Sequence, residues 1–249
     1  MIIHSYENGP RADECVRYIR DSDCFGKLEE LYLLPIPSSR DNKTISGTNI
    51  DIYSLIDLTG DCCLLVGYSL SDAFKMGVGS TGCSVHDVAA DEEFLIENAE
   101  LTAQATLGII LNTERKSISD LRFGIVGYGR IGSRLARLLL CMGASVRIYS
   151  SDTYKLLDLG EWGITAAMSA ADADLSELDI LVNTAPAVIF DTSSGAVPDG
   201  LRIIDLASGD NFPGLASVEK YPSVPAKMFP LSAGRAWGRS IERFMRNLQ

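Results

Sequence analysis

Histidine is scarce in this chain: His4 and His86 are the only two in 249 residues. Two histidines and no C-x-x-C pair do not make up a zinc ligand set, so no zinc site is expected. The six cysteines, Cys15, Cys24, Cys62, Cys63, Cys83 and Cys141, show no C-x-x-C spacing and read as reduced thiols of a cytoplasmic protein. Positive charge is also short, with 22 Lys and Arg against 33 Asp and Glu, a formal charge of −11. A surface that acidic repels phosphate backbones and offers no basic patch to anionic lipid, which argues against nucleic-acid and membrane-surface partners. No apolar run reaches the roughly 18 residues of a membrane span. The nearest candidate, 135–146, is interrupted by Arg137. The first residues show no basic segment followed by a long apolar stretch, so no signal peptide is expected.

What is present is the balance of an ordinary globular protein, 46% hydrophobic and 22% charged. The length suits one large domain or two of ordinary size. Apolar strand-like runs at 1–6, 31–36, 62–67 and 83–88 alternate with helical spacing at 10–20, 51–58 and 71–76. This alternation predicts a small α/β domain over 1–92. An unbroken segment rich in Ala, Leu, Glu and Ile predicts a long helix over 91–115, a connector assigned to 93–116. A second α/β alternation fills 117–234, and 235–249 reads as a final helix packing back on the first domain.

One motif is strong. An apolar strand, 121–126, runs into Gly127-Tyr128-Gly129-Arg130-Ile131-Gly132, and a helix over 133–142 follows at once. This is G-x-G-x-x-G in its strand–turn–helix setting. Gly127 allows the tight turn, Gly129 lets a pyrophosphate approach the backbone, and Gly132 lets helix and strand pack closely. The helix start offers amide donors and the positive end of a dipole. The expected fold is therefore a Rossmann NAD(P)-binding domain with a doubly wound parallel sheet. Where NAD binders place an acidic residue at the end of the second strand, this chain has Ser150, followed by Ser151 and Asp152. Two serines suit a 2′-phosphate and favour NADP, while Asp152 close by keeps NAD open. Later strands at 178–183 and 201–206 lead into Asn183-Thr184-Ala185-Pro186 and Ala207-Ser208. Loops at carboxyl strand ends border the ligand in such sheets, so these residues join the candidate cofactor set.

The order of a small α/β lobe, a long helix, a Rossmann lobe and a final helix resembles the D-2-hydroxyacid dehydrogenase superfamily. That resemblance implies a flavodoxin-like first domain and a homodimer. Members carry an Arg after the strand 201–206 and a His late in the Rossmann lobe. Here Ser208 stands in the Arg position and no His follows His86. A keto-acid reduction lacks its proton partner.

A second resemblance is spread over nearly the whole chain. Leu34-Pro35-Ile36-Pro37-Ser38-Ser39-Arg40-Asp41, Glu97-Asn98-Ala99-Glu100-Leu101-Thr102-Ala103, Asp179 to Ala187, and Ile204-Asp205-Leu206-Ala207-Ser208 look like segments of the dipicolinate synthase A chain family, known from sporulation. The departures are Leu101, Gln104 and Ala105 for that family's Pro, Glu and Gly, a shorter loop after Ser208, and a Pro-Gly lost before Ser232. The resemblance implies oxidation of a hydroxylated tetrahydrodipicolinate to pyridine-2,6-dicarboxylate, with a nicotinamide accepting hydride. It also implies a flavoprotein-like partner, a second subunit. It points to Ser39, Arg40, Asn98, Thr102 and Ser232 as candidates for holding the small dicarboxylate, and it names no proton carrier. Two other readings stay open: a nucleotide-binding regulatory or scaffold subunit without turnover, and an oxidoreductase on another substrate.

Overall fold

The computed structural model describes residues 1–152, 165–167, 175–187 and 197–248. The chain divides into two compact units, Met1–Asn98 with Phe229–Gln249, and Ala99–Met228.

The first unit holds β1 (Ile2–Ser5), β2 (Glu30–Leu33), β3 (Cys63–Gly67) and β4 (Ser84–Asp87). All neighbours are parallel and the strands lie in chain order, β1-β2-β3-β4. Flavodoxin itself has the order 2-1-3-4-5, so the likeness lies in parallel α/β layering rather than in strand order. Every residue of β3 is buried, as expected of a strand covered on both faces. Alternate side chains serve opposite faces. Leu31, Leu33, Leu64 and Val66 pack with α1 (Pro10–Arg20) and with Trp237 and Ile241 of the last helix, α6 (Pro230–Leu248). Tyr32, Leu34 and Leu65 pack on the other face with a 3-10 turn, Ile52–Leu58, and α2 (Asp72–Gly79). α1 opens on Pro10, whose missing N–H costs nothing there. Asp13 in its first turn and Arg17 and Arg20 in its last suit the helix dipole.

α3 (Glu92–Thr113) begins in the first unit and continues into the second. Asp91 stays outside it as the cap, accepting the Phe94 N–H at 3.1 Å. The second unit holds β5 (Arg122–Val126), β6 (Ser145–Tyr149), β7 (Thr165–Ala167), β8 (Ile180–Asn183), β9 (Arg202–Asp205) and β10 (Val218–Lys220). All pairs are parallel, in the order β10-β9-β8-β5-β6-β7. Counted within the unit this is 3-2-1-4-5-6 read from the far edge, the order of dinucleotide-binding sheets. One face packs Phe123, Ile125, Ile148 and Val182 against α3 and α4 (Arg130–Cys141). The other packs Val126, Tyr149, Leu181 and Ile203 around Leu178 and Phe212. A short helix, α5 (Val224–Met228), ends the unit.

One local expectation is refined and one is corrected. The helical spacing over 51–58 is realised as a 3-10 helix, Ile52–Leu58, with the Tyr53 N–H held by the Asp51 side chain; such tight helices serve as short connectors. The final helix, expected over 235–249, begins earlier. α6 starts at Pro230 and places Ser232 in its first turn, because proline pre-sets the φ of a helix start. Among the described residues no helix is long and apolar enough to cross a membrane. All six cysteines are free thiols.

Candidate active site

The strand order reverses direction between β5 and β8, and the glycine-rich turn leaves the carboxyl end of β5 at that point. Gly127 has φ +90° and donates its N–H to the Tyr149 carbonyl at 2.8 Å. A Cβ there would lie 2.8 Å from Thr184 Oγ1, and one at Gly132 would strike the Gly127 carbonyl oxygen. Gly129 differs, because a Cβ there meets no heavy atom within 4 Å. The middle glycine therefore faces open space while the outer two are packed. No side chain caps α4, and its first internal bond runs from Ser133 N–H to Gly129 O at 3.0 Å. Ile131 and Tyr128 are half-buried, and Arg130 is exposed. This uncapped start is a site for an anion, and the open face fits the pyrophosphate of a dinucleotide.

At the end of β6, Tyr149 is buried, Ser150 is half-buried and Ser151 is exposed. Ser150 Oγ accepts the Asp152 N–H at 3.2 Å. No carboxylate occupies position 150 itself.

Thr184 is spent on the turn: its N–H and its Oγ1 both donate to the Val126 carbonyl at 2.9 Å. Asn183 is fully buried, and its Oδ1 accepts the Ala185 N–H at 3.0 Å. Its Nδ2 donates to Asp205 Oδ1 at 2.9 Å. The side chains of both residues thus shape the loop rather than point out of it. Asp205, 2% exposed, also accepts the Ala207 N–H at 3.2 Å and Asn211 Nδ2 at 3.2 and 3.3 Å. Ala185 and Ala207 are half-buried, while Pro186 and Ser208 are exposed. Sequence reasoning missed Asn211; the visible signal was an Asp closing an apolar strand with an amide six residues on.

In the first unit, Ser38 is buried and joins the turns after β2 and β3, donating to Pro35 O at 2.9 Å and accepting the Tyr68 N–H at 2.7 Å. Ser39 Oγ donates to Asp41 Oδ1 at 3.0 Å. Asp41 also accepts the amides of Lys43 and Thr44, and these bonds hold its carboxyl well below the usual range. Arg40 is exposed and makes no ion pair among the described residues. On α3, Asn98 is half-buried, and Thr102 is buried with its carbonyl accepting Thr106 Oγ1 at 2.8 Å. Ser232 is exposed.

His86 is buried beneath Phe244, with ring centroids 4.5 Å apart. Its Nε2 lies 2.8 Å from Ser240 Oγ. Ser240 gives its one proton to Asp91 Oδ2 at 2.5 Å, so it accepts from His86. Burial pushes the imidazole down to about 4 and keeps it neutral near pH 7. The histidine is thus a structural member of the first unit. Among the described residues no cluster of His, Cys, Asp and Glu could hold a metal ion.

Residues 93–193 match the family described as D-isomer specific 2-hydroxyacid dehydrogenase, NAD binding domain. The chain is 23% identical over 168 residues to the A chain of dipicolinate synthase from Bacillus subtilis (strain 168), a match covering 64% of this chain and 56% of that protein. The matched stretch thus spans little more than half the length of that relative. The fold is that of the A chain of dipicolinate synthase from Bacillus halodurans, with a TM-score of 0.76 at 20% identity, covering 98% of this chain and 96% of the other. The solved A chain of the Bacillus subtilis synthase superposes with a TM-score of 0.75 at 17% identity, covering 100% and 95%. The resemblance read from the motifs is thereby borne out, and the segment matched to the NAD binding domain family takes in the glycine-rich turn 127–132.

Proposed function

From this kinship we propose that the chain is the nicotinamide-dinucleotide-dependent oxidoreductase subunit that forms pyridine-2,6-dicarboxylate from hydroxytetrahydrodipicolinate. The observation that carries the reading is the uncapped start of α4 beneath the open face of Gly129. In this reading, Gly127, Gly129 and the amides at the start of α4 hold the pyrophosphate. Tyr128, Arg130, Ile131 and Gly132 complete the turn. Ser150 and Ser151 receive the adenosine ribose, and the absence of a carboxylate at 150 favours NADP over NAD. Ala185, Pro186, Ala207 and Ser208 border the redox half, and Asn183 and Thr184 hold those borders in place.

The substrate loses one water, then a hydride and a proton, and becomes aromatic. The dinucleotide supplies the hydride acceptor. Aromatisation drives this loss, so no His–Arg pair polarising a ketone is required, which suits Ser208 and the inward-held His86. Arg40 is the preferred carboxylate partner because it is an exposed guanidinium without an ion pair among the described residues. Ser39, Asn98, Thr102 and Ser232 are further candidates. A homodimer and a flavoprotein-like second subunit belong to the same proposal.

Calorimetric titration with NADP and NAD, each with and without dipicolinate, tests it. Binding of either dinucleotide, tightened by dipicolinate, is expected. Binding without turnover even beside the second subunit would favour a regulatory or scaffold role. Absence of binding would make the glycine turn a structural relic and refute the proposal.

A further inference from the structure

The last rung of the β8–β9 ladder pairs Asn183 with Asp205. Both side chains are buried, and with Asn211, 3% exposed, they form one closed set. Asp205 Oδ1 takes the Asn183 amide at 2.9 Å and the Ala207 N–H at 3.2 Å. Asn211 Nδ2 reaches both carboxylate oxygens, and the Ser208 carbonyl at 3.4 Å. Asn183 Oδ1 passes the constraint on to the Ala185 N–H. One acceptor-only side chain thus ties the turn after β8 to the turn after β9. A carboxylate suits this place because every neighbour points a donor at it. Burial raises the stakes, since a donor left unmatched there is costly.

In a sheet built of two mononucleotide halves, β5 and β6 serve the adenosine half, while β8 and β9 serve the other. The two turns held by Asp205 belong to that second half. We propose that Asp205 is a positioning residue for the redox half of the bound dinucleotide, setting the turns 183–187 and 206–211 in the shape against which that half docks. The inference rests on the dinucleotide reading above and adds a division of labour to it. The glycine turn anchors phosphate and adenosine, and the Asp205 set pre-shapes the remainder before any ligand arrives.

The test is Asp205→Asn, which keeps the size but turns an amide toward groups that are themselves donors. Kd is measured by calorimetry for NADH, NADPH and ADP on the full chain. ADP reports the adenosine half alone. The expected result is about a tenfold weaker Kd for the preferred reduced dinucleotide, with ADP changed by less than about twofold. Asn211→Ala removes only the tie to the second turn, and should show the same split at smaller size even if Asp205→Asn does not fold. Equal weakening of ADP and dinucleotide in the variants, or no weakening of either, would overturn the positioning role while leaving dinucleotide binding established. If the wild-type chain binds none of the three, the dinucleotide reading fails and the inference falls with it.

Discussion

Valine in place of Gly129 should leave the fold standing and remove dinucleotide binding. The backbone there is extended, at φ −87° and ψ −158°, a region valine adopts without strain. A Cβ meets nothing within 4 Å, so the added methyl groups enter open space rather than the core. That space is where a pyrophosphate would approach the first amides of α4. Losing two charge-assisted hydrogen bonds, at about 1.5–3 kcal/mol each, weakens binding by more than about a hundredfold. Gly132→Ala is the opposite control, because its single methyl strikes the Gly127 carbonyl. Overpacking of that kind costs about 1–3 kcal/mol, and each kcal/mol lowers Tm by roughly 2–4 °C in a chain of this size. Calorimetry with NADPH and NADH and a thermal melt read the two effects separately. A Gly129→Val protein that binds like wild type, or that melts as low as Gly132→Ala, would refute the assignment of the open face to phosphate.

Acid should destabilise the first unit through His86. Its imidazole titrates near 6.5 when unfolded and at about 4 in the fold, where burial outweighs the favourable charges of Asp91 and Asp87 and Arg243 adds to the depression. The unfolded chain therefore binds the extra proton between those values. Stability from this group is complete above about 6.5, falls as pH drops, and is lost below about 4, by about 3 kcal/mol in all. Denaturant melts from pH 7 to 4 should show this slope in wild type and a shallower one in His86→Gln; equal slopes would contradict it. Ser150→Asp should reverse the cofactor preference toward NAD by repelling a 2′-phosphate, read as the ratio of the NADPH and NADH dissociation constants, and an unchanged ratio would move the ribose site elsewhere. Arg40→Ala should weaken dipicolinate binding about tenfold without shifting Tm, since Arg40 makes no ion pair among the described residues; an unaltered Kd would remove Arg40 from the substrate site.

The parts of this protein governed by near neighbours in the chain were legible from its residues. The turn 127–132 announces itself because its glycines, the strand before it and the helix after it are contiguous, and each has a local steric reason to be there. α1 was readable for the same reason, with Pro10 at its start and apolar spacing along it, and so was β3 as an unbroken apolar run. Where several local conformations compete within a few residues, helical spacing does not tell a 3-10 helix from an α-helix, as at 52–58, and the start of a helix is misplaced, as at Pro230. The polar sets were decided by tertiary structure. Asp205 meets Asn183 across 22 residues and His86 meets Ser240 across 154, because parallel strand order and helix packing carry those side chains together. Periodicity reports which face of an element is apolar, but not which element will cover it. The role proposed for Asp205 therefore rests on the order β8-β9 at the sheet's carboxyl edge, while the role proposed for Gly129 rests on the six residues of its turn.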